Sequence, residues 1–438
     1  MTGLLAPAWA ATGADALVDD RALLTAMLAT EVALAEAQAE LGVIPEAAAK
    51  AIRAAAVPEN LDPVALAAGV RETANPVVAF VAGLTAAVDP AAAEYVHRGS
   101  TSQDILDTAL MLLCASTVDS VTRDLLRTAE SLAGHVRAHR DTPMAGRTLT
   151  QHAVPVTFGL KAATWLHGVL DAVERLRRVA LPVSLGGAAG TLSAYQEYSS
   201  AEAALRLPDL VAQRLGLVPQ VLPWHGIRTP IADVAAALLV TTGALGKIAA
   251  DVLVLSRTEI GEVIEAPAPG RGASSAMPQK HNPVFSTLVA TAARQLPPLA
   301  VVLFGSMAAE DERSAGAWHA EWQPLRDALR IATGAAANAA CLAESLQVSP
   351  AAMAANLQLT RGAIVSERVN AVLAPKLGKA AAKRLLAEAT AEAGGRELAE
   401  VLDMDVPPGV FDPAAYTGLA GPLADRVLAR YDVVKESR

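Results

Sequence analysis

Residues 106–136 read LDTALMLLCASTVDSVTRDLLRTAESLAGHV, and this stretch decides the fold. No proline occurs between Pro90 and Pro143. Within the stretch, apolar or small side chains recur at steps of three and four from Leu106 to Val136. That spacing aligns them on one face of an α-helix. The stretch therefore predicts one uninterrupted helix of about ten turns.

Working outward, the chain predicts four more long helices. They run from Pro155 to about residue 180, from Thr229 to about residue 264, from Pro283 with an interruption at Pro297-Pro298, and from after Pro324 to about residue 346. A helix of about thirty residues spans about 45 Å, too long for one compact chain to cover alone. We expect an all-α protein with a long central bundle (99–348) between N-terminal (1–98) and C-terminal (349–438) helical domains. The bundle should bury its remaining apolar stripes against copies of itself.

The amino-acid composition argues against a sheet protein and against a nucleic-acid partner. Hydrophobic residues make up 53% of the chain and aromatic residues only 3%, which favours closely packed helices over sheet. The net charge of −9, with no lysine or arginine run, argues against a nucleic-acid partner. An anionic substrate must therefore be attracted by local cations and helix N-termini against the overall charge.

The chain also predicts its compartment. Cys114 and Cys341 lie far apart in apolar helical contexts, which is typical of reduced thiols. Residues 1–18 carry no basic side chain before Asp15, so a signal peptide is not expected. No predominantly apolar stretch of spanning length is recognised, because the longest uncharged segments contain proline or paired glycines. A cytoplasmic protein with no membrane partner is expected.

Three polar islands interrupt this apolar sequence. The first polar island is VHRGSTSQD (96–104) at the start of the long helix, and the second is GRTLTQHAVP (146–155), a polar turn entering the next helix. The third, GASSAMPQKHNP (272–283), is called the signature loop below. Each has a plainer interpretation as caps or a polar loop. Three such islands at the starts of three long helices favour anion-binding chemistry.

The spacing Ser-Ser-x-Met-Pro-x-Lys-x-Asn-Pro resembles the signature of the fumarase/aspartase superfamily, and the resemblance extends over nearly the whole chain. It implies a homotetramer with a twenty-helix core, whose active sites each draw on three subunits and use no metal or organic cofactor. It also implies that Ser274 is the base, that Lys280 and Asn282 bind a carboxylate, and that Thr101 and Ser102 bind another. Further candidates are His97 and His152 for catalysis, and Arg98, Gln151, Ser275 and Met277 for substrate binding.

Two departures bear on the reaction. Superfamily members with poor leaving groups have a histidine where Leu149 stands and a glutamate where Thr287 stands. Loss of this pair suits a leaving or attacking group that is already a stable anion, such as a carboxylate or nitrite. Residues 316–322, GAWHAEW, resemble the bacterial 3-carboxy-cis,cis-muconate cycloisomerases, although Trp318 and Trp322 also suit helix packing.

The sequence thus predicts an enzyme acting on a small polycarboxylate. The leading expectation is a cycloisomerase that lactonises 3-carboxy-cis,cis-muconate to 4-carboxymuconolactone through an aci-carboxylate intermediate. Arg98, Leu149, Gln279 and His281 differ from that branch, so another substrate stays open. The alternative is a C–N lyase that releases fumarate from an adenylosuccinate- or nitrosuccinate-type substrate. A third interpretation is a non-catalytic tetrameric scaffold, which the retained Ser274, Lys280 and Asn282 disfavour.

Overall fold

Helices account for most of the chain in the computed structural model, which describes residues 4–274 and 276–437. The α-helices in these residues are α1 (Asp20–Glu40), α2 (Glu46–Ala55), α3 (Pro63–Thr73), α4 (Val77–Ala87), α5 (Ser102–Ala138), α6 (Phe158–Arg178), α7 (Ser193–Glu197), α8 (Ala201–Leu215), α9 (Thr229–Leu255), α10 (Val284–Gly305), α11 (Ala317–Ser345), α12 (Pro350–Leu357), α13 (Ser366–Leu377), α14 (Lys379–Glu392), α15 (Leu398–Val401) and α16 (Ala420–Glu436). The strands are β1 (Pro143–Thr148), β2 (Gln151–Thr157), β3 (Val263–Glu265) and β4 (Leu346–Val348). Short 3-10 helices lie at Asp15–Leu17, Pro58–Asn60, Ala93–Tyr95, Ala363–Val365, Pro408–Phe411 and Pro413–Ala415. The expectation of an all-α fold is confirmed.

Helix α5 contains the whole stretch from which the fold was predicted. Its apolar stripe is buried as the periodicity requires: Val121, Leu125, Leu132 and Val136 are each 0% exposed. A helix of this length presents one continuous apolar face, so burial of that face contributes more to its stability than helix propensity does.

The chain divides into two compact units. Unit 1 comprises Met1–Arg123, Glu174–Gly243 and Thr291–Ala337, and unit 2 comprises Asp124–Val173, Ala244–Ala290 and Asn338–Arg438. Helices α5, α6, α9, α10 and α11 contribute residues to both units. The division into three domains stays a prediction.

The long helices depart from expectation at their ends. Helix α9 ends at Leu255 instead of near residue 264. The chain then passes through turns to Gly261, which has a φ of +60°, and enters strand β3, which pairs antiparallel with β4. Helix α10 is not interrupted at Pro297-Pro298. Both prolines lie on its exposed side, where water can bond the carbonyls that lose their N–H partners. Helix α11 begins at Ala317, before Pro324.

The second polar island is a β-hairpin and not the entry to a helix. Strands β1 and β2 pair antiparallel, with Pro155 opposite Ala145 and a bulge between Ala145 and Arg147. Pro155 is thus a strand residue and not the first residue of α6, which begins at Phe158. A two-stranded hairpin consists only of edge strands, where a proline is tolerated. The β-branched residues of this segment, Val154, Val156 and Thr157, suit a strand better than a helix start.

The expectation that no apolar segment is long enough to span a membrane is wrong. Four segments, Asp15–Glu40, Ser102–Ala138, Thr229–Leu255 and Val284–Gly305, are long and apolar enough to cross a membrane by length and composition alone. Part of each segment is buried within the protein itself. Length and composition do not distinguish a spanning helix from a long helix of a buried bundle.

Both cysteines are free thiols, as the sequence predicts. Burial raises the pKa of Cys114 to about 12, so this thiol is not a nucleophile at neutral pH. Burial also raises the pKa of Cys341.

Candidate active site

His97 lies in the first polar island, in unit 1, with a left-handed φ of +57°. Its Nδ1 is 2.6 Å from Oε1 of Glu31, a carboxylate whose side chain is only 1% exposed. Burial disfavours the protonated ring, but the charge and hydrogen bond of Glu31, together with the charge of Asp104, raise the pKa of His97. His97 therefore favours the imidazolium form more than an ordinary histidine does.

Arg98 is already engaged by neighbouring side chains. Its guanidinium lies 4.5 Å from the ring centroid of Tyr95 and 4.8 Å from that of Tyr198. It also forms an ion pair of 3.2 Å with Glu94. Cation–π contacts of this kind hold the charge in one place. A substrate bound by Arg98 would share the guanidinium with these partners.

Asp104 organises the start of α5 and was not singled out from the sequence. This carboxylate is 0% exposed. Its oxygens accept hydrogen bonds from the backbone N–H groups of Gly186 (2.7 Å) and Gly187 (3.0 Å) and from the hydroxyl of Tyr195 (3.0 Å), and Nε2 of His225 is 2.8 Å away. Burial and the charge of Asp104 raise the pKa of Tyr195 well above its usual value, which keeps that hydroxyl a donor. An acidic residue in a first helical turn was the available signal, but its partners are distant in sequence.

Thr101 and Ser102 lie where α5 begins, and both are partly buried. The hydroxyl oxygen of Thr101 accepts a hydrogen bond of 3.0 Å from Nη2 of Arg313. Arg313 lies between α10 and α11 in a segment without a motif, so no sequence pattern indicated it. A cation, the guanidinium of Arg313, thus lies beside Thr101, which is predicted to bind a carboxylate of the substrate.

The second polar island, in unit 2, has an unusual turn at its tip. Leu149 and Thr150 form the two-residue connection between β1 and β2, with φ of +47° and +72°. Such turns favour asparagine and glycine, because positive φ is costly for other residues. Leu149 is nevertheless 95% exposed at this tip. Gln151 is also exposed, and its Nε2 donates to the hydroxyl of Thr150.

A buried ion pair holds this hairpin. The guanidinium of Arg147 donates to both oxygens of Glu262, at 2.9 and 2.7 Å, and Glu262 also accepts from Nδ2 of Asn356 at 2.8 Å. His152 lies opposite Arg147 in the strand register. Burial and the charge of Arg147 lower the pKa of His152, against the opposing charge of Glu262. Nδ1 of His152 is buried and has no hydrogen-bond partner in the described part of the chain.

The signature loop, also in unit 2, supplies two N–H donors to Ser274. Its Oγ accepts from the backbone nitrogens of Ala276 (3.3 Å) and Met277 (3.1 Å). Two such donors aimed at one oxygen favour its ionised form. A serine that acts as a base needs N–H donors of this kind, but the sequence alone does not show where they lie. Ser275, a predicted substrate ligand, lies outside the described residues.

Asn282 closes the base of the loop. Its backbone N–H and its Nδ2 both donate to the carbonyl oxygen of Gly272, at 2.9 and 3.1 Å. Gly272 has a φ of +69°, and a Cβ there would lie 2.5 Å from the carbonyl oxygen of Asn282, so only glycine fits. Met277 is 46% exposed. Lys280 is exposed, and its ammonium has no ion-pair partner among residues 4–274 and 276–437.

The cap of helix α10 comes from outside the signature loop. Asn282 and Pro283 precede the helix, but the free N–H groups of Phe285 (3.0 Å) and Ser286 (2.8 Å) donate to the carboxylate of Glu265. Glu265 comes from strand β3, so the cap is supplied by tertiary structure. Asn282 is therefore not the helix cap, because its amide closes the signature loop.

Trp318 and Trp322 pack against each other. Their rings are edge-to-face with centroids 4.9 Å apart, and Nε1 of Trp318 donates to Asp107 at 2.9 Å. The packing interpretation of this pair is thus supported for Trp318, which is 3% exposed. Glu321, between them, bonds Arg228.

Two cavities lie away from the three polar islands. A cavity of about 690 Å³ in unit 2 is lined by residues that include His135, His139 and Glu344, and one of about 400 Å³ in unit 1 by residues that include Glu36 and Arg53. Neither of these two cavities includes a residue of the three polar islands. Within the described ranges, no group of three or more His, Cys, Asp or Glu side chains could hold a metal ion.

Comparison with known proteins gives the family. The family described as "Lyase" matches residues 9–297. A nitrosuccinate lyase of Streptomyces davaonensis is 55% identical over 98% of this chain and 95% of its own. A 3-carboxy-cis,cis-muconate cycloisomerase of Bradyrhizobium diazoefficiens is 40% identical over 98% of each chain. The crystal structure of a 3-carboxy-cis,cis-muconate lactonizing enzyme from Pseudomonas putida matches with a TM-score of 0.91 and 36% identity over 99% of each chain. The chain therefore belongs to this lyase family, within the fumarase/aspartase superfamily.

Proposed function

We propose that this protein is a C–N lyase that eliminates nitrite from nitrosuccinate and releases fumarate. The observation that carries the choice of substrate is the 55% identity with a nitrosuccinate lyase over nearly the whole chain. This is the alternative that the sequence left open. The cycloisomerase expected first becomes the second candidate.

The elimination begins with a proton. Nitrosuccinate carries its nitro group beside one carboxylate and a CH₂ group beside the other. The oxygen of Ser274 takes a proton from the CH₂ carbon, and the electron pair passes into the neighbouring carboxylate as an aci-carboxylate. The N–H groups of Ala276 and Met277 favour the serine alkoxide that this step needs.

The second step breaks the C–N bond. The electron pair of the aci-carboxylate forms the carbon–carbon double bond, and nitrite departs with the electrons of the C–N bond. Nitrite is a stable anion, so no acid is needed to protonate it. Leu149 is an apolar, exposed residue at a position where superfamily members with poor leaving groups place a histidine, and the hydroxyl of Thr287, where they place a glutamate, donates to the carbonyl of Pro283.

The other candidates then bind the dianionic substrate. Lys280 neutralises the carboxylate on which charge develops, Asn282 donates a hydrogen bond to it, and Thr101 and Ser102 hold the second carboxylate. His97, favoured as a cation, adds charge to that end, and neutral His152 offers a hydrogen bond. The remaining contacts are assigned to Arg98, Gln151, Ser275 and Met277. These roles follow from the superfamily resemblance and the charges described above.

One substrate panel tests the proposal. Purified protein is incubated separately with nitrosuccinate, 3-carboxy-cis,cis-muconate and adenylosuccinate, while nitrite, fumarate and loss of diene absorbance are followed. We expect equal amounts of nitrite and fumarate from nitrosuccinate and no fumarate from adenylosuccinate. Diene loss without nitrite release would overturn the proposal in favour of the cycloisomerase. That second candidate is favoured by the 40% identity and by the lactonizing enzyme's TM-score of 0.91.

We further propose a homotetramer in which different chains complete each site. Apolar side chains of α10 stay exposed in the single chain, namely Val301 (70%), Val302 (40%) and Phe304 (39%). An apolar helix face of this kind is typical of an interface between copies.

Subunit complementation tests shared sites. His97→Ala should be impaired in substrate binding and Ser274→Ala inactive, and we expect activity above that of either variant when the two are mixed after mild dissociation. The control is each variant put through the same treatment alone. Mixed tetramers that form but recover no activity would show that one chain supplies both residues.

Lys280→Met is expected to raise KM and lower kcat, with a loss in kcat/KM of about tenfold or more. The ammonium of Lys280 is unpaired in the described part of the chain and would neutralise the aci-carboxylate. Arg271→Met is the matched control, because Arg271 lies on the same connection but stacks on Phe285 (4.8 Å) and donates to Ala266. Steady-state kinetics at low and moderate salt should show a salt-insensitive loss for Lys280. A larger effect of Arg271→Met would contradict the assignment.

A further inference from the structure

Arg313 is a polar side chain of unit 1 to which the proposed mechanism assigns no role. It is partly buried in the segment between α10 and α11. Its Nε donates to Oε1 of Gln103 at 3.0 Å, and its Nη2 donates to Oγ1 of Thr101 at 3.0 Å and to the carbonyl oxygen of Ala188 at 3.2 Å. One planar guanidinium therefore bridges the first turn of α5 and the loop at Ala188.

The partner Gln103 is itself fixed. Its Nε2 donates to Oδ2 of Asp107 at 3.0 Å and to the carbonyl oxygen of His225 at 3.1 Å, which leaves Oε1 as the acceptor for Arg313. Asp107 in turn accepts from both Nη atoms of Arg228, at 2.8 and 3.1 Å. Gln103, Asp107 and Arg228 are all buried. Arg313 is thus anchored to a rigid polar network and not held by a flexible surface contact.

This anchoring has a consequence for Thr101. A hydroxyl has one O–H donor and two acceptor lone pairs. Because the oxygen of Thr101 accepts from a guanidinium, that lone pair is occupied and the O–H points elsewhere. A hydroxyl that accepts a charge-assisted hydrogen bond is also a stronger donor through its own proton. Thr101 is thereby prepared to donate to an anion.

We propose that Arg313 is a positioning residue, which orients the Thr101 hydroxyl toward the second carboxylate of the substrate. The inference rests on the proposed function for the identity of that substrate, but it requires only that a dicarboxylate binds at the start of α5. Arg313 acts through Thr101, so its effect falls on binding more than on proton transfer.

A double-mutant cycle tests the inference. Arg313→Gln is expected to raise KM for nitrosuccinate about tenfold, with a smaller change in kcat. In a Thr101→Val background the same substitution should raise KM less than about threefold, because the hydroxyl it orients is gone. Effects that simply multiply would overturn the proposal. A fall in kcat at unchanged KM would do the same.

Equilibrium binding separates this inference from the proposed function. The dissociation constant of fumarate, measured by calorimetry, should rise about tenfold in Arg313→Gln. Arg326→Gln is the matched control, since Arg326 lies in the same unit and pairs with Asp20 at 2.7 Å, away from Thr101. If nitrosuccinate is not turned over but Arg313→Gln still weakens fumarate binding, the proposed function fails and this inference stands. Equal fumarate affinity of the wild type and Arg313→Gln would overturn the inference.

Discussion

Ser274→Ala is expected to lower kcat by three or more orders of magnitude while leaving the fold intact. The loss follows because the oxygen that receives the Ala276 and Met277 N–H groups is removed, and with it the proposed base. Folding should be unaffected, since Ser274 lies in the loop between β3 and α10 and not in a helix of the bundle. Nitrite release from nitrosuccinate measures the effect, and thermal unfolding checks the fold.

The matched control for this variant is Gln279→Ala, an exposed position on the same loop. It should keep most of the activity. If Ser274→Ala retained more than about a tenth of the wild-type kcat, the serine would not be the base. Proton abstraction would then fall to His152, whose pKa is lowered, before His97, whose pKa is raised, because only a neutral imidazole accepts a proton.

The sequence predicted what depends on local pattern. Helix α5 was recognised because its apolar spacing and its lack of proline both point to one element. These features need no knowledge of distant residues.

The features that the sequence missed depend on partners in other structural elements. Glu265 caps α10 from a strand, and Arg313 reaches Thr101 from a segment without periodicity. The hairpin at the second polar island was mistaken for a helix start, because Pro155 is a good N1 residue when its strand partner is unknown. A bond between residues of different elements leaves no local pattern, whether they lie 20 positions apart, as Glu265 and Phe285 do, or 212, as Thr101 and Arg313 do.

The substrate is the least predictable feature. The roles proposed for Ser274, Lys280 and Asn282 suit any reaction that passes through an aci-carboxylate, so they do not distinguish nitrite loss from lactonisation. Leu149 and Thr287 indicate only that the leaving group needs no acid. Both relatives described above meet that condition, and identity over the whole chain separates them better than any one residue does.

Loss of the Arg228 charge should have a large effect on the stability of the fold. Arg228→Met is expected to lower the free energy of unfolding by about 3–5 kcal/mol. Arg228 is 2% exposed, and its guanidinium bonds Asp107 and Glu321, both 0% exposed. Methionine fills much of the volume but leaves two buried carboxylates without their cation. Urea unfolding at one protein concentration measures the loss, with Arg326→Met as a control that should cost less than about 1 kcal/mol.

The pH dependence of that loss identifies its cause. Burial raises the pKa of Glu321, and the charge of Asp107 adds to this, while Arg228 opposes both. Removing Arg228 raises the folded-state pKa of Glu321 further above its unfolded value. The folded variant then binds more protons than the unfolded chain, so its stability falls as pH rises through the folded pKa. The deficit of Arg228→Met should accordingly shrink on acidification from pH 7 toward about pH 5. A deficit that is constant over this range would mean that lost packing, and not the unpaired carboxylates, causes the destabilisation.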